Sequence, residues 1–203
     1  MIKTIIFDFG NVFINLDIEG AHKSALKSLK IDGFSDELLE VFESFEKGLI
    51  GTNSFAKLVT DKYPHISKSE FIDMWNFMLK DFPKYRLDFL VNLKQSSKYK
   101  LILLSNTNDI HINYIKENVS FYETFKNCFD EFYLSHEIHL IKPNNNIFEF
   151  VLNNNNLKPE ECLFVDDNAD NINTANKINI NTWHIDPKTE DVINLFKTKT
   201  DLF

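Results

Sequence analysis

The start of the chain, MIKTIIFDFGNV, constrains it most. A run of β-branched and aromatic residues (Ile2, Thr4, Ile5, Ile6, Phe7) stops at Asp8, and Gly10 and Asn11 follow at once. A short apolar run of this kind is the pattern of a strand buried on both faces of a parallel sheet. The Gly and Asn mark a sharp turn after it. Ligands bind at the carboxyl ends of such strands, so this position suits a working carboxylate. An aspartate here can also simply cap the next segment, and later stretches have to decide between the two.

Strand and helix patterns alternate again only after residue 84. Before that, four segments carry helical spacing: Ile18 to Leu29, Ser35 to Lys47, Ser54 to Lys62, and Ser67 to about Asp81. Ser67 and Glu70 look like a capping box, and Gly48, Gly51 and Pro64 break the run. Beyond Tyr85–Leu93, read as a helix, strands are predicted at 99–104, 129–134, 163–165 and 182–185, with helices at 109–117, 146–152, 171–178 and 192–196. Repeated strand–helix units predict an α/β fold, a doubly wound parallel sheet with helices on both faces. The expected division is a core of residues 1–15 and 84–203 and an inserted four-helix cap, 16–83, above Asp8.

Each strand that ends in polar residues offers a different group. Strand one ends in Asp8, the strand at 99–104 in Ser105 and Asn106, and the strand at 163–165 in Asp166 and Asp167; Lys142 precedes Pro143 at a loop–helix junction. Singly, each has an ordinary reading as a cap, a turn or a surface lysine. Together, along one sheet edge, they supply a nucleophilic carboxylate, hydroxyl and amide donors, a cation and acidic metal ligands. Phosphoryl transfer through an aspartyl-phosphate requires this set. Mg²⁺ takes carboxylate oxygens, here Asp8 and Asp167. Ser105, the backbone N–H groups after it and Lys142 would grip the other phosphate oxygens.

Composition narrows the partners. The formal net charge is −8 with no basic run, which argues against nucleic acid. Arg86 is the single arginine, so a phosphate grip has to come from lysine, hydroxyls, amides or a metal. Cys128 and Cys162 fit no metal or redox spacing and read as core filler. The apolar start is too short for a membrane span or a signal peptide. The expectation is a cytoplasmic protein, monomer or weak dimer, with a small-molecule phosphate ester as partner.

The motifs IIFDFGNV, LILLSNTN, Lys142-Pro143 and FVDDNADN, in this order, resemble those of the haloacid dehalogenase superfamily. The likeness covers the core and is strongest to a subgroup of sugar-phosphate phosphatases that includes the bacterial α-D-glucose-1-phosphate phosphatase. The resemblance implies Asp8 as nucleophile and metal ligand, the Gly10 carbonyl as a second ligand, and Asp167 with Asp166 as acidic ligands. It also implies Ser105, Asn106 and Lys142 as phosphate binders, and a small helical cap. Most phosphatases of the superfamily carry a general acid–base aspartate two residues after the nucleophile, where this chain has Gly10. Three explanations remain open: a leaving group acidic enough to need little help, such as glucose 1-phosphate; a proton from the cap, from Glu46 or His22; or a weak or non-catalytic metabolite binder. A phosphomutase is a weaker alternative, since it needs the acid–base group. The acidic pair argues against a metal-free dehalogenase.

Smaller candidates are a substrate-facing turn at Glu46-Lys47, a sugar-stacking or core Trp75, and Asp17 as hinge or polar contact. Asp170 is read as bracing Lys142 or the metal loop, or as capping its helix. His136 and His139 lack a third zinc ligand.

Overall fold

A computed structural model describes all the residues, Met1–Phe203. Five strands, β1 (Thr4–Phe7), β2 (Lys100–Ser105), β3 (Glu131–Leu134), β4 (Cys162–Asp166) and β5 (Asn181–His184), form one sheet in the order β3-β2-β1-β4-β5. Every pairing is parallel. From central β1 the chain winds outward through β2 and β3, then returns to place β4 on the other side of β1. The winding direction therefore reverses beside β1, and the crevice over that point is where doubly wound sheets take ligands.

The unbroken apolar strands follow from burial on both faces. Ile5, Phe7, Leu101, Leu103, Leu163 and Val165 face one core; Ile6, Ile102, Leu104 and Phe164 face the other. The helical insert comprises α1 (Ile18–Leu29), α2 (Asp36–Glu46), α3 (Thr52–Lys62) and α4 (Lys68–Asn76). Next, α5 (Lys84–Gln95), α6 (Asp109–Asn118) and α7 (Tyr122–Lys126) supply Leu90, Ile112 and Phe125 to the first core. After the short α8 (Ser135–Ile138), α9 (Asn145–Asn154) and α10 (Ala169–Lys177) bring Phe148, Val151 and Ile172 to the second, and α11 (Leu195–Thr198) closes the chain. Each such buried side chain contributes about 1.5–3 kcal/mol. The sequence missed α7 and α8, whose lengths of five and four residues carry no readable period.

The insert has its own apolar centre, with Leu29, Leu38, Phe45, Phe55, Val59 and Phe71, joined by Ile110 from α6. Ser35 caps α2, and Ser67 with Glu70 forms the expected capping box. Asp17 accepts from the Gly20 N–H at 2.8 Å and caps α1, which is its polar contact where the chain enters the insert. The fourth helix ends at Asn76, not near Asp81. Residues 78–81 instead pair with the way in: Asp17 N–H reaches Met78 O, Lys80 N–H reaches Asn15 O, and Asn15 N–H reaches Asp81 O, each at 2.9 Å. Backbone bonds between these two segments thus outweigh the continuing helical pattern. Arg86 is buried and ties this ribbon down, donating to Asn15 Oδ1 at 2.8 Å and to Asp191 Oδ2 at 3.0 Å. The lone arginine is therefore committed to structure.

A second attachment fixes how the insert sits. Ser135 Oγ donates to the Glu46 carbonyl at 2.7 Å, and the His139 ring nitrogen Nδ1 lies 2.8 Å from the Lys47 carbonyl. Gly48, with φ +66°, lies so close that an added Cβ would be 2.0 Å from the His136 carbonyl oxygen. Position 48 therefore has to be glycine on two grounds, handedness and space. Gly48→Ala is expected to destabilise the protein by at least about 2 kcal/mol or to lift the α2–α3 turn off the core. Urea unfolding checks the first outcome, and protease cleavage within 46–51 the second.

Candidate active site

Asp8 follows β1 directly, and its N–H donates to Val165 O on β4 at 2.9 Å, which sets it against the end of that strand. Its side chain is nearly buried. Lys142 Nζ donates to Asp8 Oδ1 at 2.7 Å, to Asp166 Oδ2 at 2.7 Å and to Leu104 O at 2.8 Å. This lysine is 3% exposed, so its ammonium is spent wholly inside the protein. Burial opposes its charge, but Asp166 and Asp8 more than offset that and hold its pKa above the usual lysine range. The peptide bond from Lys142 to Pro143 is cis.

Carboxylate oxygens of Asp8, Asp166 and Asp167 lie within 4.8 Å of one another. The three roles separate by what already fills their lone pairs. Asp166, fully buried, accepts from Lys142 Nζ, from Asn171 Nδ2 on both oxygens at 3.0 Å, and from the Asn168 N–H at 2.8 Å. That saturates its capacity. In this arrangement it holds Lys142 between two strands, while remaining one of the three carboxylates of the cluster. Asp167 accepts from Asn11 Nδ2 at 2.7 Å on Oδ2 only. Asn11, at φ +53°, also accepts from the Leu16 N–H at 2.9 Å, so it couples Asp167 to the insert's entrance.

The electrostatics favour a cation. Three clustered carboxylates face one ammonium, a buried excess of two negative charges if all ionise. Burial pushes the Asp8 carboxyl up to about 7, with Asp166 and Asp167 adding to it and Lys142 opposing. Asp167 is raised too, chiefly by burial. A divalent ion bound by oxygen fits this donor set in charge and hardness. Asp8 and Asp167 have oxygens to offer, and the Gly10 carbonyl accepts no hydrogen bond from the protein.

Ser105 ends β2, buried, with only its neighbour's carbonyl at 3.5 Å for its hydroxyl. Asn106 departs from expectation. Its side chain is clasped to the Lys142 backbone, Nδ2 donating to Lys142 O at 2.8 Å and Oδ1 accepting from Lys142 N–H at 2.9 Å. The residue expected to hold phosphate with its amide instead positions the lysine, which leaves its backbone N–H for an anion. Next to it, the Thr107 N–H donates to Ser135 Oγ at 2.9 Å.

A small cavity of about 70 Å³ opens here, bounded by Gly10, Leu16, Ser105, Asn106, His111 and, from the insert, Glu46. A Cβ on Gly10 would lie 2.6 Å from Leu16 Cδ1 and 3.8 Å from Asp8 Oδ2. Leu16 thus occupies the space that a side chain at position 10 would need. Glu46 also borders an adjoining apolar cavity of about 230 Å³ with Ile18, Phe34, Phe42 and Met74.

The other candidates fall elsewhere. Lys47 pairs with Glu43 on its own helix and lines neither cavity, so it is not brought to the site. Trp75 borders the apolar cavity but stands edge-on to Phe42 and Phe55 at 4.9 and 4.8 Å and donates Nε1 to Asn108 Oδ1 at 3.3 Å. It welds the insert to α6, and its ring is committed to packing rather than to stacking on a ligand. His22 is exposed, packs on Phe34 and reaches only the apolar cavity. Asp170 is exposed and braces nothing; Asn168 caps α10 and Asn171 does the bracing.

A sequence model of the family described as haloacid dehalogenase-like hydrolase matches residues 2–179. The chain belongs to this family. A curated relative, the D-ribitol-5-phosphate phosphatase of Bacteroides thetaiotaomicron, is 29% identical over 192 residues, 90% of this chain and 91% of that one. A haloacid dehalogenase (HAD) family enzyme of the same organism, solved as a magnesium complex, is 34% identical with a TM-score of 0.84, covering 97% of this chain and 98% of that one. A HAD-like family hydrolase from Porphyromonas gingivalis is 26% identical with a TM-score of 0.83, covering 98% and 97%. The parallel sheet with its helical insert is thus the HAD architecture. No helix is long and apolar enough to cross a membrane.

Proposed function

We propose that this chain is a Mg²⁺-dependent phosphatase of a small phosphorylated metabolite, a sugar or sugar-alcohol phosphate, working through an aspartyl-phosphate on Asp8. The observation that carries the reading is the Asp8–Lys142–Asp167 group at the sheet's switch point, beside a cavity floored by Ser105. The ribitol-phosphate relative supports the substrate class, and the magnesium complex supports the metal. The motif likeness to glucose-1-phosphate phosphatases keeps that ester in the panel.

Asp8, Asp167 and the Gly10 carbonyl would hold Mg²⁺, which when bound neutralises the carboxylates and a phosphate oxygen. Asp8 then attacks phosphorus through one carboxylate oxygen. Lys142 and Asp166 fix its orientation, so the attacking atom is placed before substrate arrives. Ser105 Oγ and the Asn106 N–H donate to the remaining phosphate oxygens. Water next attacks the acyl phosphate and frees Asp8. The helical insert, residues 16–83, serves as the cap that closes over the leaving group.

The test is phosphate release from ribitol 5-phosphate, glucose 1-phosphate, glucose 6-phosphate and p-nitrophenyl phosphate, with Mg²⁺ and with EDTA. Release with Mg²⁺ that EDTA stops and fresh Mg²⁺ restores is the expected result. Mg²⁺ at a hundred times its dissociation constant is also expected to add about 2.7 kcal/mol to stability. Failure to release phosphate from any of the four in Mg²⁺ would leave a metabolite binder as the better reading.

A further inference from the structure

We propose that Glu46 is the proton donor and acceptor of this site, doing from the insert what a carboxylate at position 10 would do from the core. This rests on the phosphatase reading above and deepens it. Gly10 carries no acid, and Leu16 fills the space where one would stand. The leaving oxygen therefore needs its proton from the cavity wall.

Only two titratable side chains line that cavity, Glu46 and His111. His111 is spent. One ring nitrogen lies 3.0 Å from Trp75 O and the other 3.2 Å from Asn108 Nδ2, and burial pushes its pKa down to about 4. Its Nε2–H donates to the carbonyl and its Nδ1 accepts, so it has no proton to give. The Glu46 carboxyl has no hydrogen-bond partner in the protein. Its backbone is not free to drift, because Ser135 holds its carbonyl and Gly48 seats the turn against His136. An unpartnered carboxyl on the wall of the cavity that Gly10 and Ser105 also line is placed for a proton transfer that begins when substrate fills the gap.

Its surroundings suit the task. Burial pushes its pKa up to about 7, and Glu43 on the same helix adds to it. The positive groups near it are occupied: Lys47 pairs with Glu43, and the His136 and His139 rings from α8 face the Thr107 and Lys47 carbonyls. His22, from α1, lies across the apolar cavity. A carboxylic acid near neutrality is then available in both protonation states.

The cycle balances. Asp8 Oδ forms a bond to phosphorus as the bond to the leaving oxygen breaks, and the Glu46 proton passes to that oxygen to give the free alcohol. Water then attacks phosphorus and gives a proton to the Glu46 carboxylate, and the bond from phosphorus to Asp8 breaks. Phosphate leaves, and Glu46 is protonated again.

Glu46→Gln keeps the shape and the backbone contact to Ser135. Against alkyl esters such as ribitol 5-phosphate, its turnover is expected to fall about 10²–10⁴-fold. Against p-nitrophenyl phosphate, whose leaving group needs no acid, the variant should release one p-nitrophenolate per active site in a burst. Turnover should then be slow, because the water has lost its base. Wild-type turnover of the alkyl ester by the variant overturns the proposal. Loss of both activities with no burst also overturns it, since a merely structural role predicts that. If the native protein hydrolyses no ester, the phosphatase reading falls first.

Discussion

Replacing Asp8 with asparagine is expected to stop phosphate release while leaving the protein folded. The carboxylate oxygen is the attacking atom, and an amide cannot replace it, so the loss should be on the order of 10⁴–10⁶-fold. Folding should survive for an electrostatic reason. Asn retains an oxygen to accept from Lys142 Nζ, now 2.7 Å from Asp8 Oδ1, and Lys142 keeps Asp166 and Leu104 O besides. The substitution also removes one of three crowded negative charges, the one that burial already pushes up to about 7. Without Mg²⁺ the variant should therefore melt at or above the native temperature. With Mg²⁺ it should gain less than the native protein, having lost a ligand. Phosphate release and melting curves with and without Mg²⁺ check both halves. Retained activity would remove Asp8 as nucleophile and with it the proposed mechanism.

The sheet was legible because its strands are buried on both faces. Such strands must be apolar throughout, so LILLS and CLFVD read directly and their polar ends stand out. The insert was legible from helical spacing and from Ser67–Glu70. Its last helix was read too long because Phe77, Met78 and Leu79 continue the apolar period while their backbone pairs with residues 15–17. That competition is between partners distant in sequence, which a local period cannot register.

The site was legible in its charged members and not in its polar ones. Asp8, Lys142 and Asp167 stand at strand or loop ends, where position alone argues for chemistry. Asn11 holds Asp167, Asn106 holds Lys142 and Asn171 holds Asp166 by side-chain amides, and the Ser135 hydroxyl ties Thr107 to Glu46; this chain is rich in asparagine, so composition hid them. Asn171 could have been found by its spacing: five residues past Asp166, on the first turn of α10, it returns to the strand end it left. Asp170, one residue earlier, points to solvent instead. The link from Glu46 to the core had no sequence signal at all, since it runs through a backbone carbonyl and the absence of a Cβ at Gly48.

Lys142→Met should cost activity and stability together, and pH should separate the two. The substitution keeps the apolar stem and deletes the ammonium, leaving Asp8 and Asp166 facing each other inside the protein. Removing one partner of a buried ion pair typically costs about 3–5 kcal/mol, and here one cation serves two carboxylates. The sign with pH follows from which groups are left. Asp8 titrates from an ordinary value of 3.8 when unfolded and is raised to about 7 in the fold even with the lysine present. Without the lysine Asp8 is pushed higher still, so the folded variant takes up a proton that the unfolded chain does not. The deficit relative to the native protein is therefore fullest above the raised folded pKa, near pH 8. It shrinks as pH falls below that value, and is smaller at pH 5, because protonated Asp8 no longer repels Asp166. Mg²⁺ should narrow the deficit at pH 8 by supplying the missing charge, yet phosphate release should stay low, because Asp8 has lost the donor that aims it. Urea unfolding at the two pH values, with and without Mg²⁺, reads all of this. An equal deficit at both pH values, unmoved by Mg²⁺, would mean that Lys142 stabilises through its bonds to Leu104 and its packing rather than through its charge.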